Sequence, residues 1–162
     1  KLMVFSKNKI NVCLIDIPLN LTIAYAYLCR IFGKEKVMLI SSKEQLLEYV
    51  PKKNSGQFIL IPTVLIPNLT PSFRFDVIHN MHSFSEMDLQ SIDYYLKKLA
   101  TENVSFLIET NVNISESNVN DYLEIRSSKF PIPNYFKLLT RFSDGIQTRY
   151  VTSIYLNGKK SC

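Results

Sequence analysis

Residues 11–18, Asn-Val-Cys-Leu-Ile-Asp-Ile-Pro, decide the fold class because they place a buried strand directly before a helix. The apolar run Asn11–Ile15 is typical of a strand covered on both faces, and Pro18 ends it. Apolar residues at helical spacing then predict a helix over Leu21–Phe32, and Gly33 stands where a C-terminal cap is expected. A strand followed by such a helix is the repeating unit of a parallel sheet.

The same alternation continues along the chain. Short apolar runs predict further strands at Lys36–Ile40, Phe58–Ile61, Phe75–His79 and Ser105–Glu109. One helix is predicted from the Ser-x-x-Glu capping box at Ser41–Glu44 to about Val50, and a second, amphipathic helix over Met87–Ala100. Strands joined by helices favour a parallel sheet covered on both faces, as in Rossmann-like α/β proteins.

The end of the chain has a different pattern. Tyr135–Phe142 and Arg149–Asn157 alternate apolar and polar residues around Ser143-Asp144-Gly145, which predicts an antiparallel hairpin. We therefore predict one α/β domain over residues 1–162, with a mostly parallel sheet that finishes in an antiparallel pair.

Composition excludes several classes of function. With 162 residues, 46% hydrophobic and 20% charged, the chain has the make-up of one soluble globular domain. Its longest apolar stretch, Ile59–Leu69, contains two prolines and is too short for a bilayer, so we expect a cytoplasmic protein without a membrane partner. The net charge of +5 comes from scattered lysines. The sequence has no basic face interleaved with stacking aromatics, so we do not expect nucleic-acid binding. The three cysteines have no metal-ligand spacing.

The first candidate site residue is Asp16. Parallel α/β sheets bind ligands beyond the carboxyl ends of their strands, so residues that directly follow a strand are the candidates for function. Asp16 lies at such a strand end, where a carboxylate can accept hydrogen bonds from both hydroxyls of a ribose. The alternative role is structural, because a carboxylate at a helix N-terminus is stabilised by the helix dipole.

The second candidate region, Asp76–Asp88, holds both histidines of the chain and several carboxylates. His82 is a candidate general base because the pKa of an unperturbed imidazole is near neutrality, and Glu86 is placed to orient it or to share its role. Two structural alternatives stay open: Ser83–Glu86 has the form of a capping box, and His79 belongs to the strand. A metal site would draw on His79, His82, Glu86 and Asp88, whose spacing matches no known metal motif.

A third strand end, Glu109-Thr110-Asn111, follows the next strand and is a candidate for the acceptor side of a site.

Two segments carry a resemblance to a known family. Asp16-Ile17-Pro18 after a strand resembles the Asp-Leu-Pro that ends the second strand of many class I small-molecule O-methyltransferases. Residues 75–87, Phe-Asp-Val-Ile-His-Asn-Met-His-Ser-Phe-Ser-Glu-Met, are similar to the FDLVINTxSFxEM segment of the sugar O-methyltransferase family. Phe58–Pro62 is similar to the third-strand segment of that family, and the final hairpin resembles the strands that close methyltransferase sheets. His79 departs from the aliphatic residue that the family has before Asn80.

The resemblance implies a cofactor, an acceptor and a set of site residues. The cofactor is S-adenosylmethionine, the acceptor is a carbohydrate or another small molecule, and the reaction is methylation of a hydroxyl. Cofactor binding is then expected at Asp16, Ile17, Pro62, Asn80 and Met81, and catalysis at His82 and Glu86.

The glycine content departs from the family pattern. A methyltransferase sheet begins with a strand that ends in a glycine-rich turn, and none of the four glycines lies before Asp16. We expect the first strand and its loop to lie upstream of Lys1, so that this chain alone binds the cofactor poorly. A non-catalytic, methyltransferase-like binding or structural module is the alternative. A different dinucleotide enzyme would need the same loop.

Overall fold

A computed structural model describes residues 10–50, 52, 55–70, 73–112, 129–143 and 150–159. Helices and strands alternate along these residues, and the α/β class predicted from the sequence is confirmed, with the parallel and antiparallel strands of a Rossmann-like fold. The chain divides into two compact units, of which the first ends at Phe73 and the second begins at Arg74.

The first unit is a parallel three-stranded sheet with two helices. In chain order its elements are β1 (Val12–Asp16), α1 (Pro18–Phe32), β2 (Val37–Leu39), α2 (Lys43–Glu48) and β3 (Phe58–Pro62). The strand order is β1-β3-β2, so β3 is central and pairs in parallel with both neighbours. All five residues of β3 are buried.

The helices of this unit begin where local chemistry favours a start. Helix α1 begins at Pro18 and not at the predicted Leu21, because proline at the first helical position has a preset φ and needs no hydrogen bond to its nitrogen. Helix α2 is capped by Ser42, which accepts from the Gln45 backbone nitrogen at 3.3 Å. The predicted box at Ser41–Glu44 is therefore wrong by one residue, because Gln45 occupies the third helical position.

Side chains of β3 alternate between two apolar cores. Phe58 and Leu60 pack with Leu21 and Leu28 of α1, whereas the intervening isoleucines Ile59 and Ile61 pack on the other face with Ile40 and Leu46. Because successive strand residues point to opposite faces, a strand covered on both sides has to be apolar at every position.

The second unit combines parallel and antiparallel pairing. Its elements are β4 (Val77–Met81), a 3₁₀ turn (Ser83–Glu86), α3 (Leu89–Leu99), β5 (Phe106–Val112), β6 (Phe136–Ser143) and β7 (Tyr150–Asn157). The strand order is β4-β5-β7-β6, with β4 parallel to β5 and β7 antiparallel to both of its neighbours. The predicted antiparallel pair is confirmed, while its turn residues Asp144 and Gly145 lie outside the described residues.

Helix α3 covers one face of this second sheet. Ile92 and Leu96 pack against Leu107 of β5 and Tyr155 of β7 in one core cluster. The helix starts at Leu89 and not at the predicted Met87, because the Asp88 side chain caps it by accepting from the Ser91 backbone nitrogen at 2.8 Å.

The described strands form two hydrogen-bonded sheets. Within the described residues, β1 has a strand partner on one edge only, and the same holds for β4. No helix in the described part of the chain is long and apolar enough to span a bilayer.

Candidate functional site

The carboxyl end of the first sheet brings together two of the predicted cofactor residues. Asp16 and Pro62 are register partners at the ends of β1 and β3. The Asp16 side chain is exposed and Pro62 is buried, so the proline supports the strand end while the carboxylate faces solvent. Ile17, which follows Asp16, is an apolar side chain that is 52% exposed.

One oxygen of Asp16 is already in use. Its Oδ1 accepts from the Ile17 backbone nitrogen at 2.7 Å and from Asn20 Nδ2 at 3.1 Å. The structural role considered for Asp16 is thus present, since the carboxylate bonds to the start of α1. Oδ2 makes no hydrogen bond to any described residue, which leaves this oxygen available to a ligand hydroxyl.

At the end of β4, Asn80 organises the turn that follows. Its Oδ1 accepts from the Phe84 backbone nitrogen at 3.2 Å, and its Nδ2 donates to Ser83 Oγ at 2.6 Å. The predicted capping box at Ser83–Glu86 is therefore wrong, because Asn80 supplies the turn's side-chain acceptor and the Ser83 hydroxyl is itself bonded to Asn80. Next to Asn80, the Met81 side chain is 60% exposed.

His82 has a left-handed backbone conformation, with φ of 68°. Such a conformation costs a non-glycine residue about 1–3 kcal/mol and persists only where surrounding contacts enforce it. Here the His82 backbone nitrogen donates to the Thr110 carbonyl at 2.8 Å, and the His82 backbone carbonyl accepts from Ser85 Oγ at 2.7 Å. The imidazole meets the Tyr150 ring edge to face, with 4.4 Å between the ring centroids.

The two predicted catalytic residues lie at opposite ends of one turn and are not hydrogen-bonded to each other. His82 directly precedes the 3₁₀ turn, and Glu86 is its last residue, with an exposed side chain. No hydrogen bond or ion pair joins Glu86 to another of the described residues. Glu86 is therefore free to turn toward a bound molecule.

His79 belongs to the middle of β4, as its strand alternative predicted. Its Nε2 lies 3.3 Å from Thr110 Oγ1, which in turn lies 3.0 Å from Thr152 Oγ1. Partial burial, followed by the nearby charge of His82, lowers the pKa of His79 below its ordinary value. His79 is therefore less basic than an ordinary histidine.

A buried carboxyl was not anticipated from the sequence. The predicted strand end at Glu109 is wrong, since β5 continues to Val112, and Glu109 lies inside the sheet with 0% exposure. Burial raises the pKa of Glu109, although the Ser153 hydroxyl, the Asn111 amide and the charge of Arg141 act in the opposite direction. The sequence signal for this burial was the spacing of Leu107 and Glu109. Residues two apart in a strand share a face, so Glu109 lies on the same buried face as Leu107.

The metal alternative receives no support from the described residues, which contain no group of three or more histidine, cysteine, aspartate or glutamate side chains placed to hold an ion. Asp88, one of its four proposed ligands, caps α3 and accepts from both the backbone nitrogen and the hydroxyl of Ser91.

No family model and no curated protein matches the chain. Among solved structures it is similar to the crystal structure of PH0226 protein from Pyrococcus horikoshii OT3, with a TM-score of 0.42 and 16% identity over 96% of this chain and 85% of that chain. A likeness of this size carries no functional argument.

Proposed function

We propose that this chain is part of an S-adenosylmethionine-dependent methyltransferase that methylates a sugar hydroxyl. The observation that carries the proposal is the strand order β4-β5-β7-β6, in which antiparallel β7 is inserted beside β5. This arrangement resembles the way methyltransferase sheets close. It occurs in the same unit as residues 75–87, the segment that resembles the sugar O-methyltransferase family.

Asp16 fits the role of ribose acceptor. A ribose presents two neighbouring hydroxyls, and an exposed carboxylate with one uncommitted oxygen at a strand end can accept from them. The exposed Ile17 side chain offers an apolar contact beside it. When bound, S-adenosylmethionine supplies an activated methyl group to the acceptor.

In the second unit, His82 is the group suited to take a proton from the acceptor hydroxyl. Its ring is half-buried, and its backbone is held on both sides by hydrogen bonds to Thr110 and Ser85. A general base has to lie at a fixed point within hydrogen-bond reach, and a clamped backbone meets that requirement. Glu86, exposed at the end of the same turn, is the candidate to orient the imidazole or to bind a sugar hydroxyl.

The roles proposed for Asn80 and Met81 differ in kind. The side-chain oxygen of Asn80 already accepts a hydrogen bond from the turn. We therefore propose that Asn80 shapes the strand end near the cofactor and does not itself bind the cofactor through this oxygen. Exposed Met81 offers a polarisable apolar surface to the cofactor.

The first test is calorimetric titration of S-adenosylhomocysteine into this chain and into the natural protein with whatever residues precede Lys1. Binding to either form supports the proposal, and binding to the longer form alone supports an upstream glycine-rich loop. Absence of binding to both forms would overturn the proposal in favour of the non-catalytic module.

Two matched pairs of variants assign the residues in the binding-competent form. Asp16→Ala is expected to weaken S-adenosylhomocysteine binding by about tenfold to a hundredfold, the range for a hydrogen bond to a charged group. The control Glu48→Ala removes an exposed carboxylate from the same unit and should leave binding unchanged. His82→Ala is expected to slow turnover by about 10²–10⁴-fold while binding is retained, whereas His79→Ala should have a much smaller effect. Equal effects within either pair would contradict the assigned role.

A further inference from the structure

Two buried polar residues of β5 have no part in the proposed function. Glu109 and Asn111 are both 0% exposed and, being two residues apart, lie on the same face of the strand as core residue Leu107. Polar side chains are costly to bury unless they are hydrogen-bonded. Their partners therefore indicate what the burial serves.

Asn111 connects β5 to the end of β4 and to the turn beyond it. Its Nδ2 donates to Asn80 Oδ1 and to Glu109 Oε2, both at 3.1 Å. Its Oδ1 accepts from the Ser85 backbone nitrogen at 3.3 Å. The nitrogen of the Asn111 amide thus bonds to the end of β4 and its oxygen bonds to the turn.

Glu109 is one of three partners that fix which way the Asn111 amide faces. A carboxylate oxygen can accept a hydrogen bond from an amide nitrogen, whereas it offers nothing to an amide oxygen unless it is protonated. The Glu109 contact therefore selects the orientation in which Asn111 Nδ2 points to β4 and Oδ1 points to Ser85. Rotation of the amide by half a turn would break all three contacts.

These contacts end at His82. Asn80, held by Asn111, accepts from the Phe84 nitrogen, and Ser85, also held by Asn111, donates its hydroxyl to the His82 carbonyl. The left-handed conformation of His82 needs such support because it is unfavourable for any residue with a side chain. The contacts run without a gap from the interior of the sheet to the histidine backbone.

We propose that Glu109 and Asn111 are positioning residues that hold the turn carrying His82. Glu109 orients Asn111, and Asn111 fixes Asn80 and Ser85, between which His82 is held in its left-handed conformation. The consequence for catalysis rests on the proposed function, while the positioning itself is a property of the second unit.

The test is an NMR comparison of the chain without cofactor or acceptor. The readouts are the chemical shifts of the His82 imidazole at one fixed pH, and hydrogen exchange at the Phe84 and Ser85 amides. Glu109→Leu removes the acceptor for Asn111, whereas Glu109→Gln keeps an acceptor oxygen at similar size. We expect Glu109→Leu to change the His82 imidazole chemical shifts and to raise Ser85 exchange by up to about tenfold, the ratio for one ordinary hydrogen bond. Glu109→Gln should restore both readouts toward the wild type.

Asn157→Ala is the control for a general loss of stability. Asn157 is also buried in the second sheet, where it donates to the Glu102 and Val104 carbonyls at 2.9 and 2.8 Å. Its loss should destabilise the unit and leave the His82 imidazole chemical shifts unchanged.

Two results would overturn the positioning proposal: unchanged His82 readouts in Glu109→Leu, or an equal shift in Asn157→Ala. If Glu109→Leu does not fold, Asn111→Asp takes its place, because it replaces the donor to Glu109 and Asn80 at almost the same size. Changed His82 chemical shifts in Glu109→Leu, together with a longer form that binds no S-adenosylhomocysteine, would support the positioning and reject the methyltransferase.

Discussion

The two units differ in what they bury. In the first unit the buried side chains are apolar and cover both faces of β3. The buried polar side chains of the described residues all lie in the second unit: Ser85, Glu109, Asn111, Ser153 and Asn157. Apolar packing is non-directional, whereas hydrogen bonds fix orientation. The buried contacts of the first sheet are therefore non-directional, whereas those of the second sheet include hydrogen bonds that fix the orientation of particular groups.

The largest effect is expected where the first core is broken. Leu60, at the centre of β3, has 0% exposure, so Leu60→Ala should lower the free energy of unfolding by about 2–5 kcal/mol through lost burial and the cavity left behind. Urea unfolding measures the change. Leu47→Ala, at a side chain that is 51% exposed on α2, is the control and should have a much smaller effect. Similar losses in both variants would contradict the assignment of the core.

The second effect concerns the buried carboxyl and depends on pH. Because the pKa of Glu109 is raised on folding, the folded chain holds this proton more tightly than the unfolded chain. Its contribution to stability is present below the ordinary glutamate pKa of about 4.3 and is lost as the pH rises through the folded value. Glu109→Gln has no such proton, so its stability relative to the wild type should increase over this range.

Denaturant unfolding at a series of pH values checks this prediction, with Glu86→Gln at an exposed site as the control. An unpartnered buried polar atom costs about 1–3 kcal/mol, and Glu109 Oε1 has no partner among the described residues. A Glu109→Gln curve parallel to the wild type at all pH values would show that the carboxyl is not the source of the dependence.

A smaller effect is expected at the start of α2. Ser42→Ala removes the side chain that accepts from the Gln45 nitrogen and should cost about 1 kcal/mol, whereas Ser42→Asp keeps an acceptor and should cost little. Thermal or urea unfolding of the two variants measures the difference. If Ser42→Asp were as destabilising as Ser42→Ala, the loss would not come from the cap.

The smallest effect is expected on the surface of α3. Lys97 Nζ lies 2.6 Å from Asp93 Oδ2, with 72% and 39% of the two side chains exposed. Solvent screening limits such a pair to about 0.3–0.5 kcal/mol, so Lys97→Ala should barely change the unfolding midpoint. A loss comparable with Leu60→Ala would indicate a role for Lys97 beyond the ion pair.

Much of the architecture could be predicted because it follows from local patterns. The run at Phe58–Pro62 is apolar at every position and forms a strand that is buried throughout. The run at Val12–Asp16 also forms a strand, but it is only half-buried, with Asp16 exposed. The alternation before and after Ser143 predicted β6 and β7. Helix ends were less accurate, since Ser41 and Ser42, or Met87 and Asp88, differ little in sequence and are distinguished by which side chain reaches a free backbone nitrogen.

The candidate site was only partly predictable. The strand end at Asp16 was located because a parallel sheet directs its carboxyl ends to one edge. The predicted end of the next candidate strand at His79 is wrong by two residues, because β4 pairs with β5 as far as Met81. The hydrogen bonds of Asn80 could not be predicted. Its side chain bonds to Phe84 in the turn and to Asn111 in a second strand, which lies about thirty residues further along the chain. Local spacing contains no record of such contacts.

The sequence by itself determined the α/β class, the order of strands and helices and the placement of both histidines three residues apart, because burial and periodicity act over a few neighbouring residues. Only the tertiary structure decided that β5 continues past Glu109, since pairing with β7 supplies the hydrogen bonds that extend it. It likewise decided that Glu109 is buried, that Asn111 holds the turn and that His82 is left-handed. Each of these depends on groups that come together only when distant strands pair.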